Sequence, residues 1–237
     1  MQRRAAFAFG QSVGRDTTLY SVFRQAGERR CFAKGQMVHF QGDEPEAFYM
    51  IEAGQLRSFL LAEDGRQVTL EVLGPGKLFG QASYFGRVPR LTSALAETKL
   101  EILAIDYERL RPYVAADAGL VTEVFDLMGY SIRMLTIRIS GMVFLDAGKR
   151  VANALLQLGA FAGSGAPVIS CTHQELAELT GLNRVTVTRA LHGLEKHGWL
   201  KLSYRAVELR DPAALGRYID PATGSILPEC HENATKT

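Results

Sequence analysis

The sequence predicts an α+β chain in three successive parts. These are an N-terminal double-stranded β-roll, a long dimerisation helix and a C-terminal winged helix-turn-helix. Three observations predict it. Glycines punctuate the chain from Gly27 to Gly86, with short aromatic and branched runs between them and on to Ile105. A proline-free amphipathic stretch runs from Asp117 to Leu145. Ala177, Gly181 and Val187 then carry the spacing of two helices that meet at a tight turn. The expected bounds are residues 1–116 for the roll, 117–145 for the helix, 146–217 for the winged unit and 218–237 for a tail.

In the first part, Met37-Val38-His39-Phe40, Phe48 to Ile51, Leu56 to Leu61, Val68 to Leu73 and Leu100 to Ile105 read as strands. Short strands at this spacing, separated by turn residues, build a sandwich or barrel. Asp64-Gly65 supplies the positive φ that a hairpin turn needs. In the second part, Leu120, Val124, Leu127, Met128, Leu135, Ile139, Met142 and Val143 recur at helical spacing. A helix that long must bury its stripe, and a second copy of the chain is the economical cover.

Asp146 is placed to cap a helix from Ala147 to Phe161, and Gly163-Ser164-Gly165-Ala166-Pro167 ends it. Thr172-His173-Gln174-Glu175 is a capping box. Asn183 caps the next helix, which runs to about His197. Gly198 to Leu202 and Arg205 to Leu209 form a hairpin wing. The second helix presents Arg184, Val185, Thr188 and Arg189 outward from its first turns. Arginines suit guanine or phosphate, hydroxyls suit phosphate, and an apolar group suits a thymine methyl, so this helix is expected to lie in a major groove. Thr172, Asn183, Thr186, Lys201 and Arg205 complete the expected DNA-contacting set.

Composition agrees. Of 237 residues 47% are hydrophobic and 22% charged, which excludes wholesale disorder and a fibrous rod. No window approaches 18 consecutive apolar residues, so no transmembrane helix and no membrane partner are expected. Gly10, Gln11, Arg15 and Asp16 cut the early apolar stretch short; a secretory signal is not expected, and a cytoplasmic address is. Cys31, Cys171 and Cys230 have no metal or disulfide spacing and read as reduced thiols. The net charge of +2 is unevenly placed: residues 1–146 are neutral, 147–217 carry +4 and 218–237 carry −2. A basic segment beside a neutral one fits a polyanion-binding module.

An enzyme is not expected. A metal-dependent barrel needs two or three histidines with a carboxylate, and the barrel segment holds only His39. Gly74-Pro75-Gly76-Lys77-Leu78 lacks the spacing of a phosphate loop. No catalytic and no metal-ligating residues are assigned.

Phe32-Ala33-Lys34-Gly35, Gly54-Gln55-Leu56, Leu73-Gly74-Pro75-Gly76, Phe79-Gly80 and Val185 to Leu191, with Phe144-Leu145-Asp146 between roll and winged helix, resemble the CRP/FNR family of bacterial transcription regulators. The resemblance covers roughly residues 25–212. It implies a homodimer on a two-fold-symmetric operator, a small effector in the roll and, for an activator, contact with RNA polymerase.

It also implies an effector site at Gly80, Gln81, Ala82, Arg90, Leu91 and Thr92, with Leu135 and Thr136 on the long helix. The family's cyclic-nucleotide branch carries Gly-Glu and Arg-Ser there, with the arginine on the cyclic phosphate. This chain keeps Arg90 but has Gln81 and Leu91. The expected effector is therefore a small molecule other than a classical cyclic nucleotide. The look is closest to the regulators that answer to halogenated phenols, and Phe79, Tyr84, Phe85 and Tyr130 would suit such a ring. Cofactors are left open. A cyclic-nucleotide regulator, a haem-dependent one and a constitutive DNA-binding protein are the alternatives.

Overall fold

The structure is a computed structural model that describes residue 14 and residues 17–160 and 168–220. Gly163 to Pro167, Phe161, Cys230 and most of the expected tail lie outside the described residues. The chain divides into two compact units with the break at Met134/Leu135.

The first unit opens with α1 (Thr18–Ala26), followed by β1 (Glu28–Phe32), β2 (Met37–His39), β3 (Ala47–Ala53), β4 (Leu56–Leu61), β5 (Gln67–Leu73) and β6 (Leu78–Phe79). The short α2 (Gln81–Gly86) precedes β7 (Ser93–Ala96), β8 (Leu100–Asp106) and α3 (Tyr107–Ala116). Helix α4 (Ala118–Phe144) begins here and continues into the second unit. The strands form two antiparallel four-stranded sheets, ordered β1-β8-β3-β6 and β2-β7-β4-β5.

Alternation along β3 explains both cores. Ala47, Tyr49 and Ile51 face between the sheets, with Leu56, Leu73, Phe79, Ala94, Ala96, Leu100, Ile102 and Ala104. Phe48 and Met50 face the other way, into a second core with Leu19, Val22, Phe23, Leu110, Leu120 and Leu127 of the helices. A strand buried on both faces shows no polar alternation. The expected strands are all present, within a residue or two at their ends. The β4–β5 hairpin turns at Gly65, whose φ is +81°; Asp64 does not share the positive φ, and it accepts from the Arg66 backbone N–H and guanidinium instead.

Helix α1 is tied down from far along the chain. The Thr17 hydroxyl accepts from the Tyr20 N–H, and the Glu123 carboxylate accepts from the Thr18 and Leu19 N–H groups at 2.9 and 2.7 Å. Those amides have no partner within their own helix, and an anion at a helix N-terminus is further stabilised by the dipole.

The second unit continues with α5 (Ala147–Ala160), β9 (Val168–Ser170), α6 (His173–Thr180), α7 (Arg184–Lys196), β10 (Leu200–Ser203), β11 (Ala206–Leu209) and α8 (Pro212–Ile219). Asp146 caps α5 as expected, accepting from the Lys149 N–H at 2.9 Å. The wing gains a third strand, in the order β10-β11-β9. Helix α8 runs past residue 217, so the expected tail begins inside a helix.

Glu123→Ala removes two charge-assisted hydrogen bonds. It should lower stability by about 1.5–3 kcal/mol, read as a smaller urea midpoint with an unchanged slope.

Candidate DNA interface and effector site

The helix-turn-helix is built from small local decisions. The Thr172 hydroxyl accepts from the Glu175 N–H, and the Glu175 carboxylate accepts from the Thr172 N–H, so the capping box closes both ways. Gly181 sits at φ +66°, the left-handed geometry that ends α6 and turns the chain. Asn183 caps α7 by accepting from the Thr186 N–H at 2.8 Å. Ala177 lies buried where the two helices meet, and Val187, Leu191 and Leu194 form the inner face of α7.

That packing leaves Arg184, Val185 and Arg189 exposed, with Val185 60% accessible. Lys201 and Arg205 are exposed on the wing, Arg205 at φ +53° in the β10–β11 turn. Among the described residues no carboxylate pairs with any of these four cations, while His192 and Arg210 both have one. Thr186 is half-buried. The remaining expected contacts are already engaged. The Thr172 hydroxyl is used by its cap, and the Thr188 hydroxyl donates to the Arg184 carbonyl at 2.9 Å and meets His173 Nδ1 at 2.8 Å. Tyr204 at the wing tip is 92% exposed and was not foreseen, because nothing in the sequence separates a turn tyrosine from a strand one.

In the first unit, Gly80, Gln81, Arg90, Leu91 and Thr92 gather around the start of α2. Gly80 begins that helix at φ +80°, and a Cβ there would lie 2.6 Å from Arg90 Nη1. Arg90 is 3% exposed. Its guanidinium donates to the Gly80 carbonyl at 3.1 Å, the Ala47 carbonyl at 2.5 Å and the Tyr49 hydroxyl at 3.0 Å. Its Nε has no partner, and among the described residues no carboxylate forms an ion pair with it. Burial pulls its pKa down.

Nearby are the buried Ser58 and Ser83 and the half-buried Thr92, Gln81 and Ser131. The Ser58 hydroxyl donates to Thr92 Oγ1, the Ser83 hydroxyl accepts from the Leu91 N–H, and the Gln81 amide donates to the Ser131 hydroxyl. The Leu91 side chain points outward at 55% exposure, and Ala82 is exposed too. Leu135 and Thr136 are exposed on α4. Tyr49 was missed as an Arg90 partner, since it reads as one more strand aromatic.

The four aromatics expected to suit a phenol do not form one box. Phe79 stacks on Tyr49 between the sheets, at 4.7 Å. Tyr84 and Phe85 pack on Phe48 in the helix-side core, and Tyr130 lies beside Arg133 on α4. A separate open cleft of about 370 Å³ is lined by Glu44, Pro45, Glu46, Tyr84, Arg87 and Tyr107, and Arg90 takes no part in it.

His39 is also buried, and burial together with the positive Arg90 lowers its pKa to about 4. A histidine buried neutral favours the folded state above its unfolded pKa near 6.5, and that contribution fades as pH falls toward 4. Stability should therefore drop between pH 6.5 and 4, His39 accounting for about 3 kcal/mol. Chemical denaturation of His39→Gln across that range should show a flatter profile than wild type.

Comparison with known proteins places both units. Residues 29–117 match the cyclic nucleotide-binding domain and residues 149–218 the Crp-like helix-turn-helix domain. The chain is 34% identical to the cyclic AMP receptor protein of Thermus thermophilus, over 79% of this chain and 86% of that one. It is 30% identical to a CRP-like cAMP-activated global transcriptional regulator of Mycobacterium tuberculosis, over 78% and 85%. The solved structure of CprK complexed with OCPA shares the fold, with a TM-score of 0.67 at 20% identity over 89% of this chain and 94% of that one. The chain belongs to the CRP/FNR family of DNA-binding transcription regulators, with an N-terminal sensor domain and a C-terminal helix-turn-helix.

Proposed function

We propose that this regulator works as a cytoplasmic homodimer that binds a palindromic, AT-rich operator under the control of a small anionic effector held by Arg90. One observation carries the effector: a guanidinium 3% exposed, with no carboxylate paired to it among the described residues. A buried charge is costly, and its carbonyl and hydroxyl partners, with the more distant Asp43 and Glu46 carboxylates, compensate it only in part. An anion entering beside it completes the site. The surrounding Ser58, Thr92 and Gln81 favour a polar ligand, and the names of the two closely matching relatives supply a first anion to try, cyclic AMP. The aromatic-acid reading stands beside it, because a carboxylate satisfies Arg90 as well as a cyclic phosphate does. Calorimetric titration with cyclic AMP, cyclic GMP, 4-hydroxyphenylacetate and 2-chlorophenol separates the classes. The anions should bind wild type and fail on Arg90→Gln. Binding of the neutral phenol alone would sink the anionic reading.

The dimer rests on α4. Phe125, Ile132, Leu135, Ile139 and Met142 are exposed at 70, 63, 50, 60 and 39%, with Met128 half-buried among them. Their spacing alternates three and four, a heptad seam of the kind two helices close on each other. The stripe read from sequence is divided by the fold: Leu120 and Leu127 belong to the chain's own core, Val124 and Met128 are half-buried, and Leu135, Ile139, Met142 and Val143 are exposed. Ile132→Arg places a charge in the seam, so it should turn a micromolar dimer into a monomer while leaving the monomer's secondary structure intact. Sedimentation equilibrium reads the change, and a wild type that is itself a monomer would end the dimer proposal.

Operator choice rests on Val185. Its isopropyl group cannot accept a hydrogen bond from cytosine but can meet a thymine methyl. Half-sites should resemble TTAA more than TTGA, with centres about one helical turn apart. Selection from a random pool should show Val185→Glu moving that pair toward G·C, by about 1–3 kcal/mol of discrimination. Lys201→Ala and Arg205→Ala should weaken all sequences alike and flatten the salt dependence. Enrichment of G·C at that pair by wild type would contradict the reading.

A further inference from the structure

We propose that His39 is a second anchor for the anionic effector, taking up a proton from solvent as the anion enters beside Arg90. The inference rests on the Arg90 reading and adds a residue and a proton to it.

His39 ends β2 and is 8% exposed. Its ring stacks against Tyr49 and Phe79, each at 6.2 Å, and those two rings stack on each other. Tyr49 in turn accepts from Arg90 through its hydroxyl, and the Arg90 guanidinium lies 5.1 Å from the Tyr49 ring centre. His39 and Arg90 thus meet the same tyrosine, inside the same pair of sheets. His39 hydrogen-bonds to the Thr92 backbone, which leaves Nδ1 as its free nitrogen, and Nδ1 is buried with no partner. Arg90 Nε is buried with no partner as well. Buried polar atoms without partners are rare in folded chains. One on the Arg90 guanidinium and one on a histidine that packs on the same tyrosine mark a place where something else binds.

The charges facing His39 are Arg90, which disfavours its protonation, and Asp43, which favours it; Asp43 also accepts from the Phe40 N–H at 2.7 Å. Tyr49 and Phe79 add rings without charge at neutral pH. With the site empty, burial and Arg90 prevail and the imidazole stays neutral. An anion reverses the balance. It offsets the Arg90 charge and offers an oxygen to Nδ1. Solvent supplies the proton, a new N–H forms on Nδ1, and that N–H donates to the anion. Affinity then rises as pH falls, by up to about tenfold per pH unit between the empty-site and bound-site pKa values.

Calorimetry on the full chain tests this, with cyclic AMP and 4-hydroxyphenylacetate as probes at pH 6.0 in buffers of differing ionisation heat. Wild type should take up between about half a proton and one proton per bound anion. His39→Gln should still bind, more weakly, with no uptake. Binding without uptake in wild type, or equal uptake in His39→Gln, overturns the His39 assignment and leaves Arg90 standing. Failure of wild type to bind either anion removes the Arg90 reading and this one with it. Should His39→Gln not fold, the His39 Hε1 resonance of wild type decides: its titration midpoint should rise when the anion saturates the site, and an unmoved midpoint overturns the proposal.

Discussion

A single guanidinium organises the sensor half of this regulator. Arg90 reaches into the space between two sheets and holds the Gly80 carbonyl, the Ala47 carbonyl and the Tyr49 hydroxyl together. It therefore joins β3, the start of α2 and the loop before β7. Gly80 has to be glycine there on two counts, its left-handed φ and the closeness of the guanidinium. The small interior side chains Ala47, Ala94, Ala96 and Ala104 fit the same account, since a charged group needs room that leucines would fill.

The DNA-binding half depends on a comparable arginine. Arg150 on α5 donates to the Met142 and Leu145 carbonyls at the end of α4 and to the Thr180 carbonyl at the end of α6. These are orphan acceptors at two helix C-termini, satisfied by one side chain that also suits the negative end of each dipole. Arg138 adds a bond from α4 to the Leu179 carbonyl. The end of the long helix and the first helix of the DNA-reading pair are thus held as one piece within the second unit. Hydrogen bonds from Arg138 and Arg150 therefore tie the end of α4 to the end of α6.

Much of this was legible in the sequence, and what escaped did so for physical reasons. The winged helix was readable residue by residue, because capping boxes, the Gly181 turn and the buried Ala177–Val187 pair are local devices. The strands between glycines were readable for the same reason. Helix α1 was not, since the Glu123 carboxylate that caps it comes from 104 residues later. Strand β7, Ser93–Ala96, has little intrinsic strand preference and exists because β2 and β4 hold it on both sides. Strand β1 reads as a charged segment, and its ion pairs from Arg29 to Glu52 and Glu101 appear only after pairing. At the candidate effector site the retained Arg90 was visible. Its satisfaction by two backbone carbonyls was not, because no side-chain pattern encodes a carbonyl's position. In the expected DNA-contacting set, the Thr172 and Thr188 hydroxyls also hydrogen-bond within the helix-turn-helix, partners that no residue spacing announces.

On the proposed reading, the buried Arg90 charge makes a small anion part of the working protein. Native mass spectrometry of the full chain, purified without added ligand and then supplied with operator DNA, tests it most directly. The DNA-bound dimer should carry one small anion per subunit, and Arg90→Gln should carry none and bind operator weakly. A bare wild-type dimer that occupies the operator at full affinity would contradict it.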